Sequence, residues 1–403
     1  MKVAVLLGDG MAGRPLADKG GKTTLELAKT PNMDRLARTG TLGMAVTVPE
    51  GYPPGSDVAN LSVFGFDPAR CYTGRAPIEA ASMGVALGPD DVAYRMNIVT
   101  LEAGQRDVIM RDFSAGHIKS ADGRAIVESL AKELSEEGIE FYPGVSYRNL
   151  LVWRGGESGA KTTPPHDITG KPIQEYLPRG PGAEKLIDIM TSSQLILKNH
   201  PVNLKRREEE IPEANSVWLW GQGKPPSLDN YKERFGLTGA VISAVDLLKG
   251  IGALAGLKAP EIEGATGWID TNYEGKVKAA LDCLFVDDFV FVHIEAPDET
   301  GHQGDAEKKI IAISDFDEKV VGPIWEALEK MGEEYALLVM PDHPTPIELK
   351  THSRDPVPFI LYMKGKKNLP GEGYTEKLAQ KTGLLVENGH ELMDHATGKK
   401  NLW

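Results

Sequence analysis

Short apolar runs recur along the chain, and each is cut off by glycine, proline or acidic residues. "VAVLL" at 3–7, "DDFVFVHIE" at 287–295, "EYALLVM" at 334–340 and "PVPFILYMK" at 356–364 read as strands; continuous apolar runs of this kind belong to a parallel sheet covered on both faces. "TLGMAVTVP" at 41–49 is a further strand. Between them the period lengthens to that of helices. "TPNMDRLARTG" has Pro31 in its first turn and Gly40 at its stop, and "GAVISAVDLLKGIGALAGL", "YEGKVKAALDCLF" and "DAEKKIIAISDFDEKVVGPIWEALEKMG" follow. "GYPPGSDVANLSVFGFDP" is a rigid turn running into a helix, with Ser56 or Asp57 near its N-cap.

From about Gly88 the texture changes. "DVAYRMNIVTLE" and "QRDVIMRDFSAGHI" alternate like antiparallel strands, "GRAIVESLAKELSEEG" is an amphipathic helix, and "IEFYPGVSYRNLLVWRG" is a second strand pair. "AEKLIDIMTSSQLILKNH" is another helix, and "RREEEIPEAN" reads as a solvated linker. The pattern predicts an α/β protein in which a parallel-sheet domain, residues 1–87 and 214–403, is interrupted by a smaller inserted α+β domain, residues 88–213.

Bulk composition narrows the function. The 403 residues, 41% hydrophobic and 26% charged, suit a soluble protein with a sizeable core. A formal net charge of −13 argues against nucleic acid as partner, although a metal or a local arginine cluster can still draw an anionic substrate into a cleft. Only Cys71 and Cys283 are present, which fits a reducing compartment rather than a disulfide scaffold. No run of 18 apolar residues points to a membrane span, and "MKVAVLLGDG" suits a first strand better than a signal peptide, so the expectation is cytoplasmic.

The polar residues of interest sit just past the apolar runs. Asp9 follows "VAVLL", Ser56 follows "AVTVPEGYPPG", Asp298 and His302 follow "FVFVHI", and Asp342 and His343 follow "YALLVMP"; His352 precedes "PVPFILY". The carboxyl edge of an open parallel sheet is where ligands bind. Mixed carboxylates and imidazoles suit Zn²⁺ or Mn²⁺ better than Ca²⁺. Asp298 and His302, four apart, share a helix face; Asp342 and His343, adjacent, would point opposite ways on extended backbone, serving one ion closely or bridging toward two. Alone, each has an ordinary reading: a turn aspartate, an N-cap, a solvated surface pair. Together, at equivalent strand ends, they read as one site. His117, His166, His200, His293, His390 and His395 lack such placement and read as structural, and Trp218 and Trp220 as packing.

"GDGM", "PPGSDVANLSVFGFDP", "YTGRAPIEAASMG", "PDETGHQGD" and "PDHPTP…THSRDPVPF" together resemble the alkaline phosphatase superfamily, and within it the archaeal-type cofactor-independent phosphoglycerate mutases. The resemblance spans nearly the whole chain and implies an alkaline phosphatase-like fold. It implies two divalent ions, Mn²⁺ first, with Zn²⁺, Co²⁺ or Mg²⁺ as alternatives. Asp9, Ser56, Asp342 and His343 would hold one ion, and Asp298, His302 and His352 the other. Ser56 would be a nucleophile that is transiently phosphorylated.

The implied reaction interconverts 3-phosphoglycerate and 2-phosphoglycerate, a step of glycolysis, without 2,3-bisphosphoglycerate. Arg75 in "TGRAP" matches a family loop near the serine, and His166 and Asp167 match a candidate substrate and acid–base pair. Arg206 is a candidate for the substrate carboxylate, with Arg95, Arg111, Lys205 and Arg207 beside it. The inserted domain would have to exclude water, which would otherwise hydrolyse a phosphoserine. The implied partner is a small phosphorylated acid, and self-association is compatible with the sequence. The same metal and serine motifs would serve a homoserine kinase-like phosphotransferase or a hydrolase of phosphate or sulfate esters. A non-catalytic binding protein would have no physical need for all of these groups.

Overall fold

The structure, a computed structural model, describes residues 1–104 and 106–401. Gln105, where one expected strand begins, lies outside the described residues. In chain order the strands are β1 (Lys2–Gly8), β2 (Thr41–Ala45), β3 (Val92–Ala103), β4 (Val108–Asp112), β5 (Ile139–Val145), β6 (Arg148–Trp153), β7 (Ser216–Gly223), β8 (Gly239–Ile242), β9 (Phe289–Ile294), β10 (Tyr335–Met340), β11 (Val357–Met363) and β12 (Leu385–Val386). The chain forms two compact units, residues 1–72 with 228–403, and residues 73–227.

The first unit is built on a seven-stranded sheet, β12-β2-β11-β10-β1-β9-β8. β10, β1, β9 and β8 run parallel, and Val3–Leu7 of β1 are wholly buried, as a strand covered on both faces must be. On one face Leu6, Val292 and Val339 pack against the helices Pro31–Thr39, Ala306–Phe316 and Gly322–Met331. On the other, Phe64 stacks on Phe291 of β9 at 4.0 Å, seating the Ser56–Val63 helix.

The sheet is not wholly parallel. β11 runs antiparallel to both β10 and β2. The segment between β10 and β11 holds no helix, so there is no crossover to return the chain to the starting edge. The reversal matters for function. It puts the start of β11 at the edge where β1, β9 and β10 end, and Val357 pairs with Ala45, the last residue of β2. "GAVI", expected to be helical, is the short buried strand β8, and the helix begins only at Asp246.

The second unit is an antiparallel sheet, β4-β3-β6-β5 with β7 added to β3. The helices Ser120–Leu134 and Ala183–Leu197 cover it, burying Ile126, Leu130, Leu186 and Met190 against Met96, Ile98 and Trp218. Its limits, 73 and 227, lie outside the expected 88 and 213. The reason is packing. Ala76 and Ala80 of the Ala76–Ser82 helix bury against Ala93 and Leu150, and "SVWLWGQG" pairs along β3 instead of joining the parallel sheet. Cys71 and Cys283 are buried and unpaired, and no helix among the described residues is long and apolar enough to cross a membrane.

Candidate active site

Six of the groups singled out from the sequence meet around the carboxyl edge of the first unit's sheet, and Ser56 joins them. Asp9 follows β1, Asp342 and His343 follow β10, and the Ala296–Gln303 helix after β9 carries Asp298 and His302 on one face, Nε2 to Oδ2 3.2 Å. The reversed β11 brings in His352, 3.4 Å from Asp298. Gly55 is the N-cap of the Ser56–Val63 helix, so Ser56 is its first residue and no capping bond occupies the hydroxyl. Ser56 Oγ lies 3.0 Å from His343 Nε2.

Asp342 and His343 do not diverge as extended backbone would require. The chain bends after β10, and both side chains turn into the same cluster, His343 Nε2 lying 3.3 Å from Asp342 Oδ2 and 3.5 Å from Asp9 Oδ1. Two overlapping sets result, Asp9–Asp342–His343 and Asp298–His343–His352, each with ligand atoms within 4.8 Å of one another.

Hydrogen bonds aim the imidazoles. His302 Nδ1 is 3.0 Å from the Lys350 carbonyl and His352 Nδ1 is 3.0 Å from the Pro54 carbonyl. A carbonyl only accepts, so each Nδ1 carries a proton and each neutral ring presents a lone pair at Nε2. Those two Nε2 atoms face each other at 2.9 Å beside the Asp298 carboxylate. The Thr345 hydroxyl donates to Asp298, so it accepts from His343 Nδ1 at 3.3 Å and leaves the His343 Nε2 lone pair toward Asp9 and Ser56. Backbone-anchored imidazoles with inward lone pairs are how histidines are presented to a metal.

The electrostatics call for a cation. Asp9 Oδ1 is buried with no hydrogen-bond partner, and burial, with the charges of Asp342, Asp298 and Glu295, pushes the Asp9 carboxyl well above its usual range. Burial pulls His343 down to about 4. Although burial opposes it, Asp298 raises His352 and lifts His302 to about 9; those two imidazoles in turn hold Asp298 well below the usual carboxylate range against its own burial. A proton shared among inward lone pairs relieves part of this strain. Divalent ions on the same atoms would relieve it more fully, so the donor set fits them.

Three supporting residues are not evident from the sequence. Asn60, one turn after Ser56, donates to the Ser56 carbonyl at 2.9 Å and to Asp342 Oδ2 at 2.7 Å. Lys309, fully buried, donates to the carbonyls of Gly10, Ala12 and Thr345 at 2.7, 3.1 and 2.6 Å. His293, expected to be structural, reaches Asp9 Oδ2 at 2.8 Å. The i+4 spacing of Asn60 from Ser56 is the one available signal; His293 hides inside an apolar strand.

The remaining candidates belong to the second unit. Arg75 and Arg95 both pair with Glu79, at 2.8 and 2.9 Å, and Arg95 lies over the Trp220 ring at 4.4 Å. Burial would raise the Glu79 carboxyl, but the two guanidinium groups hold it below its ordinary value. His166 packs edge-on to Trp220, with Asp167 3.7 Å from its ring nitrogen. Arg206 is different. It is buried, and its guanidinium donates to the carbonyls of Pro212 and Ala115 at 2.8 and 2.5 Å, so it clasps backbone rather than facing a ligand. Arg111, Lys205 and Arg207 sit on surface ion pairs with Glu102, Glu209 and Glu213.

Comparison with known proteins agrees with this architecture. The model of the 2,3-bisphosphoglycerate-independent phosphoglycerate mutase family matches residues 37–203. A Geobacter sulfurreducens protein named a probable 2,3-bisphosphoglycerate-independent phosphoglycerate mutase is 56% identical over 395 residues, covering 98% of this chain and 99% of its own. A Methanosarcina acetivorans protein named as the same mutase is 53% identical over 387 residues, 96% of each chain. Among solved structures, a Pyrococcus horikoshii protein superposes with a TM-score of 0.83 at 30% identity, over 99% of this chain and 98% of that one. The cofactor-independent phosphoglycerate mutase of Thermoplasma acidophilum, 24% identical with a TM-score of 0.65 over 99% of this chain and 100% of that one, shares the fold.

Proposed function

The chain belongs to the 2,3-bisphosphoglycerate-independent phosphoglycerate mutase family, and on that premise we propose that it interconverts 3-phosphoglycerate and 2-phosphoglycerate through a phosphoserine on Ser56 at a two-metal site. The observation that carries the proposal is the Ser56 hydroxyl, uncapped and 3.0 Å from His343 Nε2 at the edge of a buried carboxylate–imidazole cluster.

Asp9, Ser56, Asp342 and His343 would hold one ion and Asp298, His302 and His352 the other, with Mn²⁺ the first metal to test. Bound there, divalent ions lower the pKa of a coordinated hydroxyl and neutralise charge on a transferring phosphoryl group. The chain's own residues do the rest. Ser56 Oγ attacks phosphorus, the P–Oγ bond forms, and the bond from phosphorus to glycerate O3 breaks. The serine proton ends on O3, with His166 and Asp167 the pair that moves it. The glycerate reorients and its O2 attacks the phosphoserine. The P–O2 bond forms, the P–Oγ bond breaks, and the O2 proton returns to Ser56. Its place at the start of the Ser56–Val63 helix adds positive potential under the transferring group, and Asn60 keeps Ser56 and Asp342 in register. In the second unit Arg75 and Arg95, pre-set by Glu79, are the groups we assign to the substrate carboxylate.

The test is direct. Protein supplied with Mn²⁺ and 3-phosphoglycerate should yield 2-phosphoglycerate with no added bisphosphoglycerate. Release of inorganic phosphate alone, or activity only with homoserine and ATP, would overturn the proposal.

A further inference from the structure

Behind Asp9 runs a short chain of hydrogen bonds that the reaction itself does not use. The Val245 N–H donates to Ser243 Oγ at 2.9 Å. Ser243 Oγ lies 3.0 Å from His293 Nδ1, and His293 Nε2 lies 2.8 Å from Asp9 Oδ2. Ser243 and His293 are buried, His293 completely. They come from the ends of β8 and β9, which pair in parallel and so bring the two side chains together.

The chain has a direction. A carboxylate oxygen only accepts, so at the Asp9 end the ring must donate; Nδ1 is left to accept the Ser243 proton, while Ser243 Oγ itself accepts from Val245. The ring proton is then on Nε2 and is donated to Asp9 Oδ2. The opposite tautomer would set the Nε2 lone pair against a carboxylate oxygen at 2.8 Å. Asp9 is thus pinned by one oxygen. The other, Oδ1, is the buried atom without a partner, 3.5 Å from His343 Nε2.

We propose that Ser243 and His293 form a positioning relay for Asp9: they lock one carboxylate oxygen to the His293 ring N–H, so that Asp9 presents a single oxygen, Oδ1, to the divalent ion it shares with Asp342 and His343. The relay rests on the two-metal proposal for this site. Neither residue touches substrate or ion. Their effect is on the direction and basicity of one ligand atom, and outer groups of this kind are worth about 10–100-fold in metal affinity.

The test is Mn²⁺ binding to the intact protein without substrate, beside the melting temperature of the metal-free protein. Wild type should bind Mn²⁺, and Asp9→Asn should weaken one binding step; failure of either sinks the two-metal proposal and the relay with it. Once that step is identified, Ser243→Ala, two bonds removed from Asp9, should weaken it by about 10-fold or more, and Ser243→Thr, which keeps the hydroxyl, should restore it. His293→Leu should weaken the same step, while His293→Gln, whose Nε2 can donate from the same place, should recover most of it. The relay is overturned if Ser243→Ala binds Mn²⁺ like wild type while Asp9→Asn does not. It is also overturned if His293→Gln and His293→Leu lose affinity equally, because then the imidazole only fills space. If His293→Leu fails to fold, the Ser243 pair decides alone.

Discussion

His302 Nε2 and His352 Nε2 face each other at 2.9 Å, each ring anchored through Nδ1 to a backbone carbonyl, with Asp298 beside both. Two imidazole lone pairs cannot meet this closely without a cation between them. A proton can fill that place, and in the proposed two-metal enzyme divalent ions would take it over.

A proton-linked metal affinity follows. His302 sits at about 9, above the ordinary histidine value, because Asp298 outweighs its burial. The sign is that of a raised pKa: the charged form stabilises the metal-free fold below about pH 6.5, and this contribution fades as the pH rises through 9. Mn²⁺ must displace that proton. Affinity should therefore climb between pH 6.5 and 9, with proton uptake by the buffer visible as a buffer-dependent heat in titration calorimetry. A heat of binding independent of the buffer at pH 7.5 would contradict this.

Gly10 should not tolerate a side chain. It has φ +59°, and an added Cβ would lie 2.5 Å from Asp298 Oδ1 and 2.8 Å from the Asp298 Cα. The left-handed backbone alone costs an L-residue about 1–2 kcal/mol, and the clash falls on Asp298, a carboxylate proposed to hold an ion. Gly10→Ala should lower the melting temperature and weaken Mn²⁺ binding together. A variant that binds Mn²⁺ like wild type would show that the Asp9–Gly10 turn is less constrained than its contacts imply.

Lys309 should act as a buried strut. Its ammonium joins the turn after β1 to Thr345 in the loop after β10, and burial pulls its pKa down to about 8. Lys309→Met keeps the bulk but strands three carbonyls, for an expected loss of about 2–5 kcal/mol in urea unfolding. A loss below about 0.5 kcal/mol, the level of a neutral surface change, would contradict it.

The two buried arginines of the second unit should separate cleanly. Arg206→Met should lower the melting temperature and leave the KM for 3-phosphoglycerate unchanged, because its donors are spent on Pro212 and Ala115. Arg95→Met should raise that KM. The reverse pattern, measured by steady-state kinetics on folded variants, would return Arg206 to the substrate.

These cases show what is legible before folding. The strand ends are legible because apolar runs stop abruptly at Asp9, Asp298 and Asp342, and the four-residue spacing of Asp298 and His302 already places them on one helix face. The bend that turns Asp342 and His343 inward together is not legible, since it depends on the bonds that Gly10 and Thr345 make after the loops meet. Neither is the reversal of β11, which has the same apolar composition as its parallel neighbours and is set by the missing crossover helix. His293 and Lys309 are polar side chains inside apolar segments, and the partners that tie them to the site, Asp9 for His293 and the Gly10 and Ala12 carbonyls for Lys309, lie more than 280 residues away. Arg206 looks like a free cation in a charged run because nothing local reveals the Ala115 carbonyl 91 residues before it.

The central claim is that Ser56 is a nucleophile and not merely the first residue of a helix. Asp57 is the control, since its carboxylate is held by the Tyr72 hydroxyl at 2.6 Å and by the Val58 N–H at 3.0 Å. The decisive measurement is mutase turnover with Mn²⁺, beside phosphate retained from labelled 3-phosphoglycerate, for wild type, Ser56→Ala and Asp57→Ala. Wild type should carry label on Ser56. Ser56→Ala should stay folded and bind Mn²⁺, take up no label, and turn over at least about 10³-fold more slowly, while Asp57→Ala should lose stability but still be labelled. A folded Ser56→Ala protein that keeps most of its turnover would contradict the phosphoserine mechanism and favour water as the group that attacks phosphorus.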